Sequence, residues 1–186
     1  NSLSKRFFND TLLLDQKACS SPILLMWKGS KRDVQAAKNR FWNSFEAVVN
    51  EFGYRPRLDT LISRTVYFLK FLENQPEAIL ERSWIGDFLI VNIDNCSPQL
   101  ALENLIAGYG LMYQMELIDL DKLNWKCSKI AQTLVVDSDN QREMVDHIIN
   151  SSLPGVSRVV EAGHALDFDL YWDGYFVPSL YTRKVR

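Results

Sequence analysis

The sequence predicts an α/β fold, a layered and mostly parallel sheet flanked by helices, in one continuous domain over residues 1–186. Three observations predict it. Short aliphatic runs alternate with amphipathic stretches long enough to cross a sheet, glycines and prolines are scattered singly, and no repeat divides the chain. A chain of 186 residues, 47% hydrophobic and 24% charged, has the composition of a globular domain with a real core, which excludes disorder and low-complexity architecture.

The elements follow in order. Ile23 to Trp27 is the longest strictly apolar run. It is strand-like, but Ser21-Pro22 ahead of it also matches a helix start, with serine as cap and proline at the first helical position. From Ser30 to Phe52, Val34, Ala37, Phe41, Phe45, Val48 and Val49 recur at three- and four-residue steps, a long helix closed by Gly53. Leu58 to Leu72 is spaced like a second helix, weakened by the β-favouring Val66 and Tyr67. Ala78 to Arg82 and Phe88 to Ile93 read as strands parted by Gly86, Gln99 to Ala107 as a helix, and Tyr109 to Ile118 as a strand behind Gly108. Ile130 to Val136 is a further strand, Asn140 to Asn150 a helix, and Arg158 to Glu161 a short strand after Pro154-Gly155.

Charge and cysteine usage exclude several function classes. Lysine plus arginine number 21 and aspartate plus glutamate 23, a net charge of −2, so binding to nucleic acid or anionic lipid through bulk charge is not expected. No run approaches the ~20 apolar residues of a membrane span. Cys19, Cys96 and Cys127 are widely spaced with no CxxC pair, which argues against a disulfide framework or a zinc knuckle and for a reducing, cytoplasmic setting. The chain opens on Asn1 with no leader pattern and reads as a processed or excised piece.

For chemistry, Cys19 comes first. A thiol just ahead of a helix start would lie near unpaired N–H groups and the positive end of the helix dipole, which favour both a thiolate and an adjacent oxyanion. The competing reading is a small core residue. Cys96, also before Ser97-Pro98, has the same local look. There is no G-x-S-x-G elbow, no G-x-G-x-x-G and no G-x-x-x-x-G-K-[ST]. His147 and His164 are too far apart for a metal site; His147 reads as the wet face of a helix and His164 as a loop residue after a strand. Asp167, Asp169 and Asp173 suit turn closure better than metal binding. Phe168, Tyr171, Trp172, Tyr175 and Phe176 could line an acyl tunnel, but packing in a core or interface is the commoner use of such a run.

Two segments together resemble a known family. Asp15-Gln16-Lys17-Ala18-Cys19-Ser20-Ser21-Pro22 is similar to the nucleophile segment of the long-chain fatty acyl-CoA reductases of bacterial luminescence, relatives of the aldehyde dehydrogenases. Gly155-Val156-Ser157-Arg158-Val159-Val160, Ala165-Leu166-Asp167-Phe168, Trp172-Asp173-Gly174-Tyr175 and Leu180-Tyr181-Thr182-Arg183-Lys184-Val185 resemble its closing segment, with Gln132-Thr133 between. The resemblance implies an aldehyde-dehydrogenase-like catalytic domain in which Cys19 takes a fatty acyl group as a thioester and hydride from NADPH releases the aldehyde. It makes Cys96 a structural thiol. It also implies a C-terminal catalytic part whose nucleotide-binding domain lies elsewhere, an acyl-transferase or acyl-protein synthetase as partner, and self-association. A weaker likeness to the aldehyde dehydrogenases at Leu80-Glu81-Arg82-Ser83-Trp84-Ile85-Gly86, with one extra residue before the glycine, makes Glu81 a ligand for ribose hydroxyls and Trp84 a backing for nicotinamide; a strand-end glutamate and a core tryptophan are the competing reading. The alternative function is a non-catalytic binding or assembly domain of the same fold, docking to an acyl-transferring partner.

Because no glycine-rich dinucleotide fingerprint occurs among the 186 residues, the chain by itself is predicted to accept acyl groups at Cys19 but not to reduce them. Mixing it with acyl-CoA and NADPH should leave the cofactor absorbance unchanged. Steady turnover would show that a nucleotide site has been overlooked.

Overall fold

A computed structural model of the chain describes residues 2–94, 105, 107–117, 132–137, 141–151, 156–172 and 174–183. Its elements are α1 (Leu3–Leu12), β1 (Leu24–Lys28), α2 (Lys31–Glu51), α3 (Leu58–Asn74), β2 (Ile79–Ile85), β3 (Phe88–Ile93), β4 (Leu111–Leu117), β5 (Thr133–Val136), α4 (Gln141–Ser151), β6 (Arg158–Glu161), β7 (Tyr171–Trp172), β8 (Tyr175–Phe176) and α5 (Val177–Leu180). Four strands form one sheet in the order β1-β4-β3-β2. The β1/β4 and β4/β3 pairs are parallel, while β2 returns antiparallel on the edge through the Gly86-Asp87 turn. β5 and β6 form a separate parallel pair, and β7 and β8 a short hairpin. This is a mixed α/β architecture with mostly parallel pairing, as the alternation of elements predicts.

Both faces of the inner strands β3 and β4 are covered, which explains why five of the six β3 residues and six of the seven β4 residues are buried. On one face Val91, Ile93, Leu111, Tyr113 and Met115, joined by Leu24 and Met26, pack on Phe68 and Phe71 of α3. On the other, Phe88, Ile90 and Met112, joined by Leu25 and Trp27, pack on α1 and α2. Gln114 is a buried polar residue on that second face. Its buried Oε1 accepts from the indole N–H of Trp27 and of Trp42, each at 3.0 Å, so both indole donors in this layer are satisfied.

α2 matches its periodicity. Ser30 caps it, its Oγ accepting from the Asp33 N–H at 3.3 Å, and Asp33 adds negative charge in the first turn. Gly53, at φ +65°, follows the last turn in the left-handed conformation that glycine adopts most cheaply.

α1 was not legible, since Phe7-Phe8 and Leu12-Leu13-Leu14 break a clean amphipathic stripe. It ties the sheet to the later segments. Asp10, fully buried, accepts from the Gly163 N–H at 2.6 Å and the Ala165 N–H at 2.9 Å. Burial pushes its carboxyl above the usual carboxylate range and these two N–H groups pull it back. Arg6 reaches Glu161 at 2.6 Å and Asp137 at 2.8 Å. Gly163 has φ +95°, and a Cβ there would come within 3.1 Å of Arg6 Cβ, so the close approach of this loop to α1 requires glycine.

Several expectations are corrected. Ser21-Pro22 starts no helix: Leu24–Lys28 is strand β1, because its residues serve the two apolar layers alternately and only a strand buries both. β2 extends to Ile85, and Tyr109 belongs to the turn before β4. β5 begins at Thr133; Ile130 and Ala131 lie outside the described residues, as do nearly all of Gln99 to Ala107 and both Cys96 and Cys127. His147 is half-buried rather than on a wet face. The aromatic run of the C-terminal hairpin is not core: Phe168, Tyr171, Tyr175 and Phe176 are exposed, with Phe168 stacked on Trp172 and the Arg158 guanidinium 5.0 Å from the Trp172 ring.

Phe45, fully buried, has ring neighbours Phe7 at 5.3 Å, Phe88 at 5.4 Å and Trp42 at 5.7 Å and so joins both helices to the sheet. Phe45→Ala is expected to destabilise the fold by about 3–5 kcal/mol. Urea unfolding of the two proteins measures it, and a loss below ~1 kcal/mol would mean that this layer is not the core described.

Candidate functional site

The site is built on the connection from α1 to β1. After Leu12 the chain turns with Asp15 and Gln16 both left-handed, at φ 52° and 57°. Non-glycine residues hold this conformation only when something pays for the strain. Here the Gln16 side chain does so. Its Nε2 donates to the carbonyls of Pro22 at 2.9 Å and Leu111 at 3.1 Å, and its Oε1 accepts from the Gly110 N–H at 3.0 Å. One buried carboxamide thus stitches the segment leading into β1 to the segment leading into β4.

The opposing turn, Gly108-Tyr109-Gly110, is also left-handed, with Tyr109 at φ 59°. The Tyr109 N–H donates to the Asp15 carbonyl at 3.3 Å. At Gly110 a Cβ would lie 2.8 Å from the Phe88 ring, so only glycine lets β4 start this close to β3. Tyr54 donates its hydroxyl to Asp15 Oδ1 at 2.8 Å, and burial followed by this bond pushes the phenol above its ordinary range, keeping it a neutral donor. Lys17 Nζ sits 3.2 Å from Asp15 Oδ2 and 5.1 Å from the Tyr109 ring centroid.

Cys19 stands on the outside of this assembly. It is exposed, in a turn closed by the Ser21 N–H donating to the Ala18 carbonyl at 3.0 Å. Ser21 Oγ is buried and has no hydrogen-bond partner among the described residues. The thiol therefore lies in a helix-to-strand connection, not at a helix start, and the helix dipole that the sequence suggested has no source here. What the fold supplies instead is an accessible thiol on a turn whose backbone is fixed three residues earlier by Gln16.

The other sequence-predicted residues are not gathered around the thiol. Trp84 is paired with Leu89 and faces the α3 side of the sheet, where the Arg64 guanidinium lies 4.9 Å from its ring. It sits at the same end of the sheet as the Cys19 turn but on β2, three strand spacings from β1, about 14 Å across. It is 59% exposed rather than core. Arg64 donates to the Asp87 carbonyl in the β2–β3 turn; burial pulls its pKa down and Asp87 opposes that shift. Glu81 is opposite Asn92, whose Nδ2 donates to it at 3.2 Å, and faces the α1/α2 side. Glu81 and Trp84 thus point to opposite faces of edge strand β2.

His164 is exposed in the loop that Asp10 anchors, its Nδ1 2.6 Å from Asp167 Oδ2. The hydrogen bond to Asp167 raises the imidazole above its ordinary range. A raised folded-state value means that the pair stabilises the fold fully below the ordinary histidine range and loses that contribution as pH climbs through the raised pKa. Asp169 accepts from the Tyr171 N–H at 3.1 Å, closing a turn, and Asp173 lies outside the described residues. Among the described residues no group of three His, Cys, Asp or Glu side chains could hold a metal ion. A depression of about 280 Å³ between α2 and the Gly86-Asp87 turn, lined by Glu46, Asn50 and Arg55, contains none of the predicted residues.

Sequence reasoning missed Gln16, Tyr54 and Tyr109. A glutamine followed by Lys-Ala-Cys carries no signal for a left-handed backbone, and Tyr109 reads as the first residue of a strand.

Gln16→Ala leaves a buried N–H and two carbonyls without their partner and should cost about 2–4 kcal/mol of stability. Chemical denaturation measures it. A change under ~0.5 kcal/mol would show that the two turns are held by something else.

No described helix is long and apolar enough to cross a membrane. No protein-family model matches the chain, and no curated protein matches it.

Proposed function

We propose that this chain is the thiol-bearing catalytic part of a cytoplasmic fatty acyl-CoA or acyl-protein reductase, with an aldehyde-dehydrogenase-like domain. The carrying observation is the exposed Cys19 on a backbone pinned by Gln16, within the segment that resembles the nucleophile segment of the luminescence reductases. In this reading the Cys19 thiolate attacks the acyl carbonyl and the donor thiol leaves, so that the acyl group stays activated as a thioester. A reduced nicotinamide, NADPH, would supply the hydride to the thioester carbon, so that the aldehyde leaves and the Cys19 thiolate returns. The sequence has no phosphate-cradling loop, so the cofactor's phosphates and ribose would be held by a separate domain. Trp84 and Glu81 both lie on edge strand β2, three strand spacings from β1, so a nicotinamide poised at Cys19 would be held by the separate domain rather than by either side chain. An acyl-transferase or acyl-protein synthetase is the partner that would deliver the acyl group.

A labelled long-chain acyl-CoA separates this reading from that of a binding module. The wild-type chain should take up label on the peptide containing Cys19. Cys19→Ser should take up none there while unfolding at the same midpoint, because the turn is exposed and the change in volume is small. Label retained by the serine variant, or a wild-type chain that is never acylated, would remove Cys19 from the reaction.

A further inference from the structure

α3 has two apolar faces, and the sheet uses only one. Thr60, Arg64, Phe68 and Phe71 are buried against it. On the far side Leu58, Ile62, Val66, Leu69 and Leu72 are exposed, from 36% at Leu72 to 73% at Leu58. At 100° per residue these five fall within about 120° of arc, as wide as the core face of an amphipathic helix, an arc that also holds Thr65 midway along its length and Glu73 at its C-terminal end. A contiguous apolar surface of this kind marks an interaction site.

The borders of the stripe say what covers it. Asp59 and Lys70 are both exposed and lie on the same flank, since eleven positions bring the helix round to nearly the same direction. The two charges have opposite sign. The midpoint of Asp59 and Lys70, that of Ile62 and Leu69, and that of Leu58 and Leu72 all fall within one residue of Thr65. In a two-fold interface each residue meets a partner that meets it in return, and antiparallel helices bring like flanks together. A stripe symmetric about its own centre, with complementary charges at equal distances, is the pattern such an interface needs.

We propose that α3 is the seam of a homodimer, packed antiparallel on α3 of a second copy with the two-fold axis beside Thr65. Leu58 meets Leu72, Ile62 meets Leu69, and Asp59 faces Lys70, each twice. Thr65 is suited to the axis: its Oγ1 already donates to the Leu61 carbonyl at 2.9 Å, so covering it strands no donor. Arg57, 3.2 Å from Asp59, lies at the helix start, so Asp59 would bridge Arg57 and the Lys70 of the second copy. The seam is one helix wide and about 25 Å long, which places it at the small end of specific interfaces and makes the dimer reversible at micromolar concentration. The inference does not depend on the chemistry proposed for Cys19.

Sedimentation equilibrium of the full chain across the micromolar range tests it. The wild type should show a monomer–dimer equilibrium. Ile62→Asp, at an exposed position, should raise the dimer dissociation constant roughly tenfold or more with no shift in the unfolding midpoint. Asp59→Lys and Lys70→Asp should each weaken the dimer by placing like charges opposite one another, and the two changes combined should restore it. A wild-type chain that stays monomeric throughout would overturn the proposal, as would a double exchange no better than the single ones. Either result would leave the stripe to a different partner.

Discussion

Everything proposed for Cys19 depends on the carboxamide of Gln16. Two left-handed residues in succession, neither of them glycine, are a costly way to leave a helix. The cost is offset because the same turn delivers a buried side chain with two donors and an acceptor to three backbone groups at the entrances of β1 and β4. Those groups lie where the strands begin, before the ladder can satisfy them. Left unpaired in the interior, they would cost more than the turn does. The strained connection and the start of the parallel sheet therefore stabilise each other, and Cys19 is carried on the outer side of that joint.

The layered fold was legible for a related reason. Helix α2 announces itself because its buried residues recur with the helical period, and β3 because Phe88, Leu89, Ile90 and Val91 are all buried. A strand covered on both faces has no polar alternation, only a short apolar run between turn residues. Ile23 to Trp27 is such a run, and its ambiguity came from Ser21-Pro22. Local capping preference pointed to a helix. The need to fill two layers at once, with Leu24 and Met26 on one side and Leu25 and Trp27 on the other, made it a strand. Tertiary demand outweighed a local signal worth about 1 kcal/mol.

The site was less legible than the fold. Cys19 could be singled out by residue type, and its exposure is consistent with chemistry, but the argument that singled it out relied on a helix that does not form. Glu81 and Trp84 looked like one functional pair because they are close in sequence. Three steps along a strand reverse the direction of the side chain, so the two residues point to opposite faces of β2. Gln16 and Tyr109 gave no sign, because their importance lies in backbone conformation and in partners far along the chain.

The exposed features share a physical character. The Cys19 turn is polar and pinned by hydrogen bonds, whereas the α3 stripe and the C-terminal hairpin are apolar and have no cover among the described residues. Hydrogen bonds fix this turn through the buried Gln16 carboxamide while Cys19 stays exposed. Apolar area works in the opposite way: it is unfavourable in water and gains only when something covers it. A sequence that keeps Leu58, Ile62, Val66, Leu69 and Leu72 outside bears that cost continuously in the free chain. Its core does not require them, since Phe68 and Phe71 already fill the space beneath α3. The stripe is therefore explained by association rather than by folding.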